Sequence, residues 1–389
     1  MKYFIVAGEA SGDLHGSNLV KELFRQDRNA EIACWGGDLM QSAGARVLMH
    51  YRNTAFMGFM VILKNLGRVL RNISLCRKHV IDYNPDVLIL IDYPGFNLRI
   101  AKFAKRAGIR VFYYISPKFW AWGEKRVEKV RKRVDRMFII FPFETEFYAK
   151  YGIPVKYRGN PLVDEIESRI ASLSGKEEIS EMLQLSEKPV IGILPGSRRQ
   201  EIRSILPQIM KVTDDFPGYQ FVIAGVRNVP AGLYRSITGN SRVRVVTDRT
   251  YELLSVCEAA IVKSGTSTLE AALFNIPQVV CYRGDFFSML IALMLIRVKF
   301  VSLVNLIAGR EVVKELLGYS LNRKNLAREL SGIVKGGGRR ENMLLQYGII
   351  RDKLGPAGAS ARIAAAMLEE LKGQWQETDK GIDKGFTGS

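Results

Sequence analysis

Short apolar runs rich in Val, Ile, Phe and Tyr alternate with amphipathic stretches from the start of the chain. They are YFIVAG from Tyr3, EIACWGG from Glu31, VLILID from Val87, RVFYYIS from Arg110 and RMFIIFP from Arg136. Runs of this kind predict strands and the stretches between them predict helical crossovers, which together give a parallel sheet covered on both faces by helices. A polar stretch from about Ser168 to Glu187 interrupts the pattern. It then restarts with PVIGILPGS from Pro189, QFVIAG from Gln220, VRVVT from Val243, AAIVKSG from Ala259 and PQVVCY from Pro277. The expected fold is α/β, with two Rossmann-like domains facing a cleft, over residues 1–168 and 186–345. Residues 346–373 are expected to form helices that pack back across the other domain or a second subunit, and the Gly- and charge-rich residues 374–389 a flexible tail.

Two segments are more apolar than a surface helix needs: FMGFMVILKNLGRVLR from Phe56 and FFSMLIALMLIRVKF from Phe286. Each is shorter than the roughly 20 residues that span a bilayer. In the first, Lys64, Arg68 and Arg71 recur at helical spacing and line one edge of an apolar surface, as in a helix lying at a membrane interface. A core helix with a solvated basic edge has the same pattern, and the second segment reads as core.

Composition narrows the class. At 389 residues the chain has room for two domains, and 47% apolar with 25% charged residues is the make-up of a globular protein rather than a disordered one. The surplus of 57 Lys and Arg over 39 Asp and Glu, +18 net, favours polyanions: nucleic acid, acidic lipid headgroups or phosphorylated substrates. The four cysteines are far apart within apolar runs, as expected of reduced core residues in a cytoplasmic protein. Met1 leads directly into a strand-like run, and the three histidines show no metal-ligand spacing, so neither a signal peptide nor a metal site is expected.

Ligands of open α/β sheets bind beyond the carboxyl ends of the strands, so the chemistry is sought in the loops there. The opening strand ends in Gly8-Glu9-Ala10-Ser11-Gly12-Asp13 and a helix pattern follows at once. Small residues and free helix amides suit a phosphate or sugar, although Ser11 or Asp13 could equally cap the helix. VLILID ends at Asp92, before Tyr93-Pro94-Gly95-Phe96-Asn97. A carboxylate at that edge can take a proton from a sugar hydroxyl, or it can cap the following helix. The aromatic cluster Phe119-Trp120-Ala121-Trp122 beside a basic helix from Lys125 to Arg133 fits an amphiphilic phosphate ester, and also fits core packing beside a solvated face. In the second half, Pro195-Gly196-Ser197-Arg198 offers amides and a guanidinium to a diphosphate. Ser264, Gly265, Thr266 and Glu270 suit a nucleotide, with amides to phosphate and the carboxylate to ribose hydroxyls. Arg283, Asn305, Arg310 and Glu311 follow at further strand or loop ends.

The order GEASGD, IDYPGFN, YYISPKFWAW, LPGSR, VKSGTSTLEAAL and VSLVNLIAGREVVKELL, over roughly Tyr3 to Leu371, resembles the lipid-A-disaccharide synthases, inverting glycosyltransferases of the GT-B fold. The resemblance implies UDP-2,3-diacylglucosamine as donor and 2,3-diacylglucosamine 1-phosphate (lipid X) as acceptor. It also implies a β-1,6 disaccharide product, released UDP and the cytoplasmic face of a Gram-negative inner membrane. It places the catalytic carboxylate at Asp92, the diphosphate-facing arginine at Arg198 and nucleotide-side residues at Glu9, Ser11, Asn305 and Glu311. The family pattern has a second acid where this chain has Gly95, which leaves Asp92 as candidate base. No cofactor is expected, the UDP-sugar being a substrate, and no nucleic-acid partner; a homodimer is a possible state. Rival readings are another GT-B enzyme of UDP-sugars, a peptidoglycan-type N-acetylglucosaminyl transferase or an epimerase, and a peripheral module that binds anionic lipid or nucleic acid.

Overall fold

The computed structural model describes residues 1–53, 66–121, 123–239, 243–283 and 299–382. Most of the first apolar segment, all but the last two residues of the second, Trp122 and the last seven residues of the chain lie outside these. The chain divides into two compact units, one of Met1–Pro161 together with the chain from Ala357 onward, the other Leu162–Pro356.

The first unit is a seven-stranded parallel sheet of β1 (Lys2–Ala7), β2 (Glu31–Gly36), β3 (Arg46–His50), β4 (Val87–Ile91), β5 (Arg110–Tyr114), β6 (Arg136–Ile139) and β7 (Val155–Tyr157), in the order 3-2-1-4-5-6-7. All five residues of β4 are buried, the continuous apolar run of a strand covered on both faces. Helices α1 (Ala10–Gln26), α2 (Leu66–Tyr83), α3 (Pro94–Arg106) and α4 (Phe143–Ala149) lie between strands. In α2 the buried positions Val69, Ile73, Cys76 and Val80 recur every three or four residues, while Arg68, Leu70, Arg71 and Ile81 face solvent. Arg68 and Arg71, from the basic edge expected of the first apolar segment, are therefore exposed; Lys64 lies outside the described residues.

The second unit repeats the design with six parallel strands, β8 (Val190–Leu194), β9 (Gln220–Gly225), β10 (Arg244–Thr247), β11 (Cys257–Lys263), β12 (Gln278–Tyr282) and β13 (Lys314–Leu317), ordered 10-9-8-11-12-13. Its helices include α5 (Arg199–Ile209), α6 (Ser267–Leu273), α7 (Leu303–Ala308) and α8 (Arg340–Leu354). The last helix, α9 (Ala359–Ile382), belongs to the first unit. Its buried face of Ile363, Ala364, Met367 and Leu371 follows helical spacing, and Gln26 Nε2 of α1 donates to the Ala361 carbonyl at 3.0 Å. Glu370 pairs with Arg136 and Lys156. The helix continues to Ile382 rather than ending near Leu371, the stretch between holding no proline to stop it.

All four cysteines are buried and unpaired. Among the described residues no helix is long and apolar enough to cross a membrane.

Candidate functional site

In each unit the strand order reverses beside the first strand, between β1 and β4 and between β8 and β11. Such a reversal splays the two outgoing loops and opens a crevice at the carboxyl ends. GEASGD and IDYPGFN leave the first reversal; LPGSR and VKSGTSTLE leave the second.

The register pairs Ala7 with Ile91, so Gly8 and Asp92 leave the sheet side by side. A β-carbon on Gly8 would run into the Tyr93 ring, and one on Gly12 would sit 3.2 Å from the Ala7 β-carbon, a tight contact, so the close packing here favours glycine. The α1 N-cap is Glu9, and no side chain caps the helix. Asp13, almost wholly buried, instead accepts from the amides of Gly37, Leu39 and Met40 at 2.7, 3.1 and 3.2 Å. It ties the GEASGD loop to the loop after β2, a partnership 24 or more residues away in sequence. Glu9, Ser11 and Gly12 are thus presented by a loop that is braced from below.

Asp92 and Tyr93 both adopt left-handed backbone, with φ of 44° and 46°. Non-glycine residues carry a conformational cost there, of about 1–3 kcal/mol each. Fixed partners hold the turn. The Asp92 amide donates to the Tyr114 carbonyl at 3.1 Å, and the Asp92 carbonyl accepts from Tyr113 Oη at 2.6 Å and Asn97 Nδ2 at 2.8 Å. Helix α3 begins at Pro94 with Tyr93 as N-cap and no side-chain cap, so the Asp92 carboxylate does not cap it. Burial raises the proton affinity of that carboxyl above the ordinary aspartate value; the Lys118 ammonium and the Tyr93 amide pull it part of the way back. Gly95 is exposed with open space around it, and supplies no second acid.

Sequence reasoning missed Glu144. It lies one residue inside α4 and is wholly buried, accepting from Ser116 Oγ, from Trp120 Nε1 at 3.1 Å and from the amides of Ile140 and Phe141 at 3.3 and 3.1 Å. Burial pushes its carboxyl up to about 7 against the pull of those donors. The visible signal was an acid set among aromatics directly after a strand, in FPFETEF. Phe119 is core, and the expected basic helix from Lys125 to Arg133 is a short turn followed by a helix over Val127–Arg131, where Glu128 pairs with Arg131 and Lys132.

In the second unit Leu194 is level with Val262, which brings the LPGSR loop beside the end of β11. Gly196 has φ of 106° and a β-carbon there would collide with Glu201, so the turn requires glycine. Glu201 accepts from the Ser197 amide at 3.2 Å and pairs with Lys263 at 2.8 Å; its distance to Arg198, at 4.0 Å, is the limit of an ion pair. Gly196, Ser197, Glu201, Lys263, Gly265 and Thr266 line a hollow of about 170 Å³. That volume suits a phosphate or diphosphate group and is below the roughly 300 Å³ of complete small-ligand pockets. The Arg198 side chain is 67% exposed at the mouth of α5. Glu270 lies one turn into α6, its carboxyl pushed up to about 7 by burial and by the Glu165 carboxylate, against a Ser267 hydrogen bond.

Other expected residues have different surroundings. Ser264 Oγ donates to the Val301 carbonyl at 2.8 Å. Arg283 follows β12 at the carboxyl edge, where its carbonyl accepts from Ser204 Oγ at 2.8 Å. Asn305 is wholly buried in α7: its amide nitrogen donates to the Val313 carbonyl and Glu315 Oε1, each at 2.9 Å, and its oxygen accepts from the Val312 and Val313 amides at 2.7 and 3.0 Å. Both donors and both acceptors are used, so Asn305 shapes the loop and has no side-chain capacity left for a nucleotide. Arg310 and Glu311 lie in the loop entering β13, away from the carboxyl-end hollow; Arg310 bonds Gln346 of α8, and Glu311 pairs with Lys314 at 3.2 Å. Glu311 lines a separate hollow with Gln278, the first residue of β12, at the amino edge of the sheet. The structure therefore brings Gly196, Ser197, Gly265 and Thr266 together around one hollow, places Arg198 just before α5 and Glu270 within α6, and leaves Arg310 and Glu311 at the opposite edge.

The fold is shared with UDP-GlcNAc 2-epimerase from Neisseria meningitidis, solved with UDP-GlcNAc bound. The superposition has a TM-score of 0.69 and covers 95% of this chain and 100% of that one at 15% identity, a likeness of architecture alone. Closer in sequence are the lipid-A-disaccharide synthases of Geobacter metallireducens, 37% identical over 377 residues, and Myxococcus xanthus, 35% over 376; each comparison covers 95% of this chain and 97% of the relative. The family model for lipid-A-disaccharide synthetase matches residues 3–366. With nearly the whole chain matched by that model and by relatives well above 30% identity, the protein belongs to the lipid-A-disaccharide synthase family of glycosyltransferases.

Proposed function

We propose that this enzyme condenses UDP-2,3-diacylglucosamine with 2,3-diacylglucosamine 1-phosphate to give the β-1,6-linked disaccharide 1-phosphate and UDP. The observation that carries the chemistry is Asp92: a half-buried carboxylate on a strained turn at the carboxyl end of the central strand, with its proton affinity raised by burial. A base of raised affinity takes a proton more effectively than an ordinary surface aspartate. In the proposed step Asp92 accepts the proton of the acceptor 6-hydroxyl, whose oxygen bonds to the donor anomeric carbon while the bond from that carbon to the UDP oxygen breaks. A single displacement inverts the anomeric centre. The departing diphosphate gains charge, and Lys263 and Arg198 supply compensating cations. Glu270 is assigned to the ribose hydroxyls, and Glu9 and Ser11 keep the nucleotide-side assignment that the resemblance gives them. No metal or cofactor is assigned a part in this reading, and turnover insensitive to EDTA is the corresponding check.

Acylated substrates reside in a membrane, and the exposed Arg68, Leu70 and Arg71 of α2 support docking of the first unit on an anionic cytoplasmic leaflet. The test of the main reading is to incubate the purified protein with both acylated sugars in detergent and follow disaccharide and UDP by mass spectrometry. Equimolar disaccharide and UDP are expected. UDP formed without disaccharide, or neither product, contradicts the assignment.

A further inference from the structure

The loop after β5 begins beside the proposed base, because Tyr114 is level with Ile91 and Ile115 therefore neighbours Asp92. Ile115, with φ of 63°, turns the chain away from the strand, and its amide donates to the Phe138 carbonyl at 3.0 Å. From there to Trp120 the loop is gripped from one side by α4. Glu144 holds Ser116 Oγ and Trp120 Nε1, and one turn later Tyr148 Oη donates to the Pro117 carbonyl at 3.2 Å. Glu144 and Tyr148 are four residues apart, so both grips come from the same helix face. Lys118, exposed, lies between the gripped positions, and its charge acts on the Asp92 carboxylate. The Tyr93 amide also bears on that carboxylate, and the Tyr113 hydroxyl donates to the Asp92 main-chain carbonyl; neither group is charged.

We propose that Lys118 is the electrostatic partner of Asp92 in catalysis, and that Glu144 and Tyr148 are positioning residues whose grip on the Ser116–Trp120 loop keeps the Lys118 ammonium opposite that carboxylate. The inference rests on Asp92 being the base. Burial alone disfavours the ionised carboxylate that must accept the proton, and the cation restores it. Its ionisation then governs the acid limb of the pH profile of kcat/KM, which reports the free enzyme.

The experiment compares that profile for wild type, Lys118→Met, Lys118→Arg, Glu144→Gln and Tyr148→Phe at low and high salt, using both acylated sugars in detergent. Removing the cation raises the Asp92 proton affinity, so the Lys118→Met acid limb moves to higher pH, by about half to one unit given its exposure. Lys118→Arg overlays wild type. Salt moves the wild-type limb towards that of Lys118→Met and leaves the variant's limb in place. Glu144→Gln and Tyr148→Phe shift the limb in the same direction, and Tyr148→Phe retains this test if Glu144→Gln does not fold. A Lys118→Met limb that coincides with wild type at low salt overturns the partnership. A shift in Lys118→Met with none in Tyr148→Phe or folded Glu144→Gln overturns the positioning role. Failure of the underlying reading is distinct: Asp92→Asn would then retain turnover.

Discussion

The loop after β4 turns through two left-handed non-glycine residues, Asp92 and Tyr93, whereas the loop after β8 turns at Gly196, whose φ is 106°. Both follow the central strand of a parallel sheet at its point of reversal. In the first the strained position must bear a side chain, and hydrogen bonds from Tyr113 and Asn97 to the Asp92 carbonyl hold what glycine would adopt freely. In the second the backbone itself faces the hollow, and a side chain at Gly196 would occupy the space of Glu201. One fold thus presents a carboxylate from one sheet, and amides and cations from the other. In the proposed reading the first supplies the proton acceptor and the second the diphosphate cradle of an inverting transfer from a UDP-sugar.

This division predicts separable losses. Asp92→Asn should lower turnover by about 10²- to 10⁴-fold with its thermal unfolding unchanged, measured by product formation and calorimetry. Arg198→Ala should lower turnover by about 10²-fold and also weaken competitive inhibition by UDP, which Asp92→Asn does not. Stability carries a signature of the first unit. Glu144 is raised from 4.5 to about 7, so its contribution to folding is fully present below 4.5 and is lost as the pH rises through about 7. The unfolding midpoint should therefore fall across that window, and Glu144→Gln should flatten the fall. In the second unit, if Glu270 accepts from ribose as a carboxylate, UDP affinity should drop severalfold as pH falls below about 7, and Glu270→Gln should remove the dependence. The smallest effect is expected at the amino edge, where Arg310→Ala and Glu311→Ala should leave UDP affinity within about twofold, as for surface changes away from a site.

The central strands were legible because a strand buried on both faces is a continuous apolar run, as in VLILI and VIGIL. RVLMH, VKY and KELL were not read as strands. They are β3, β7 and β13, at sheet edges with one pairing partner each, half-exposed and interrupted by charge. The site motifs were legible as loops at strand ends, but the work of single side chains was not where the partner is distant in sequence. Asp13 looks like a cap for α1 and instead holds the amides of Gly37, Leu39 and Met40. Asn305 looks like a ligand-facing amide and instead closes the loop to Glu315. Glu144 escaped notice because its side-chain partners, Ser116 and Trp120, come from the loop after β5, 24 or more residues away.

The most direct measurement is UDP binding by calorimetry beside disaccharide turnover for Asp92→Asn. UDP affinity within about twofold of wild type, with turnover down by at least about 10²-fold, is the predicted result, since the proposed base and the proposed diphosphate cradle belong to different sheets. Wild-type turnover in the variant, or loss of UDP binding together with turnover in a protein that remains folded, would contradict the account.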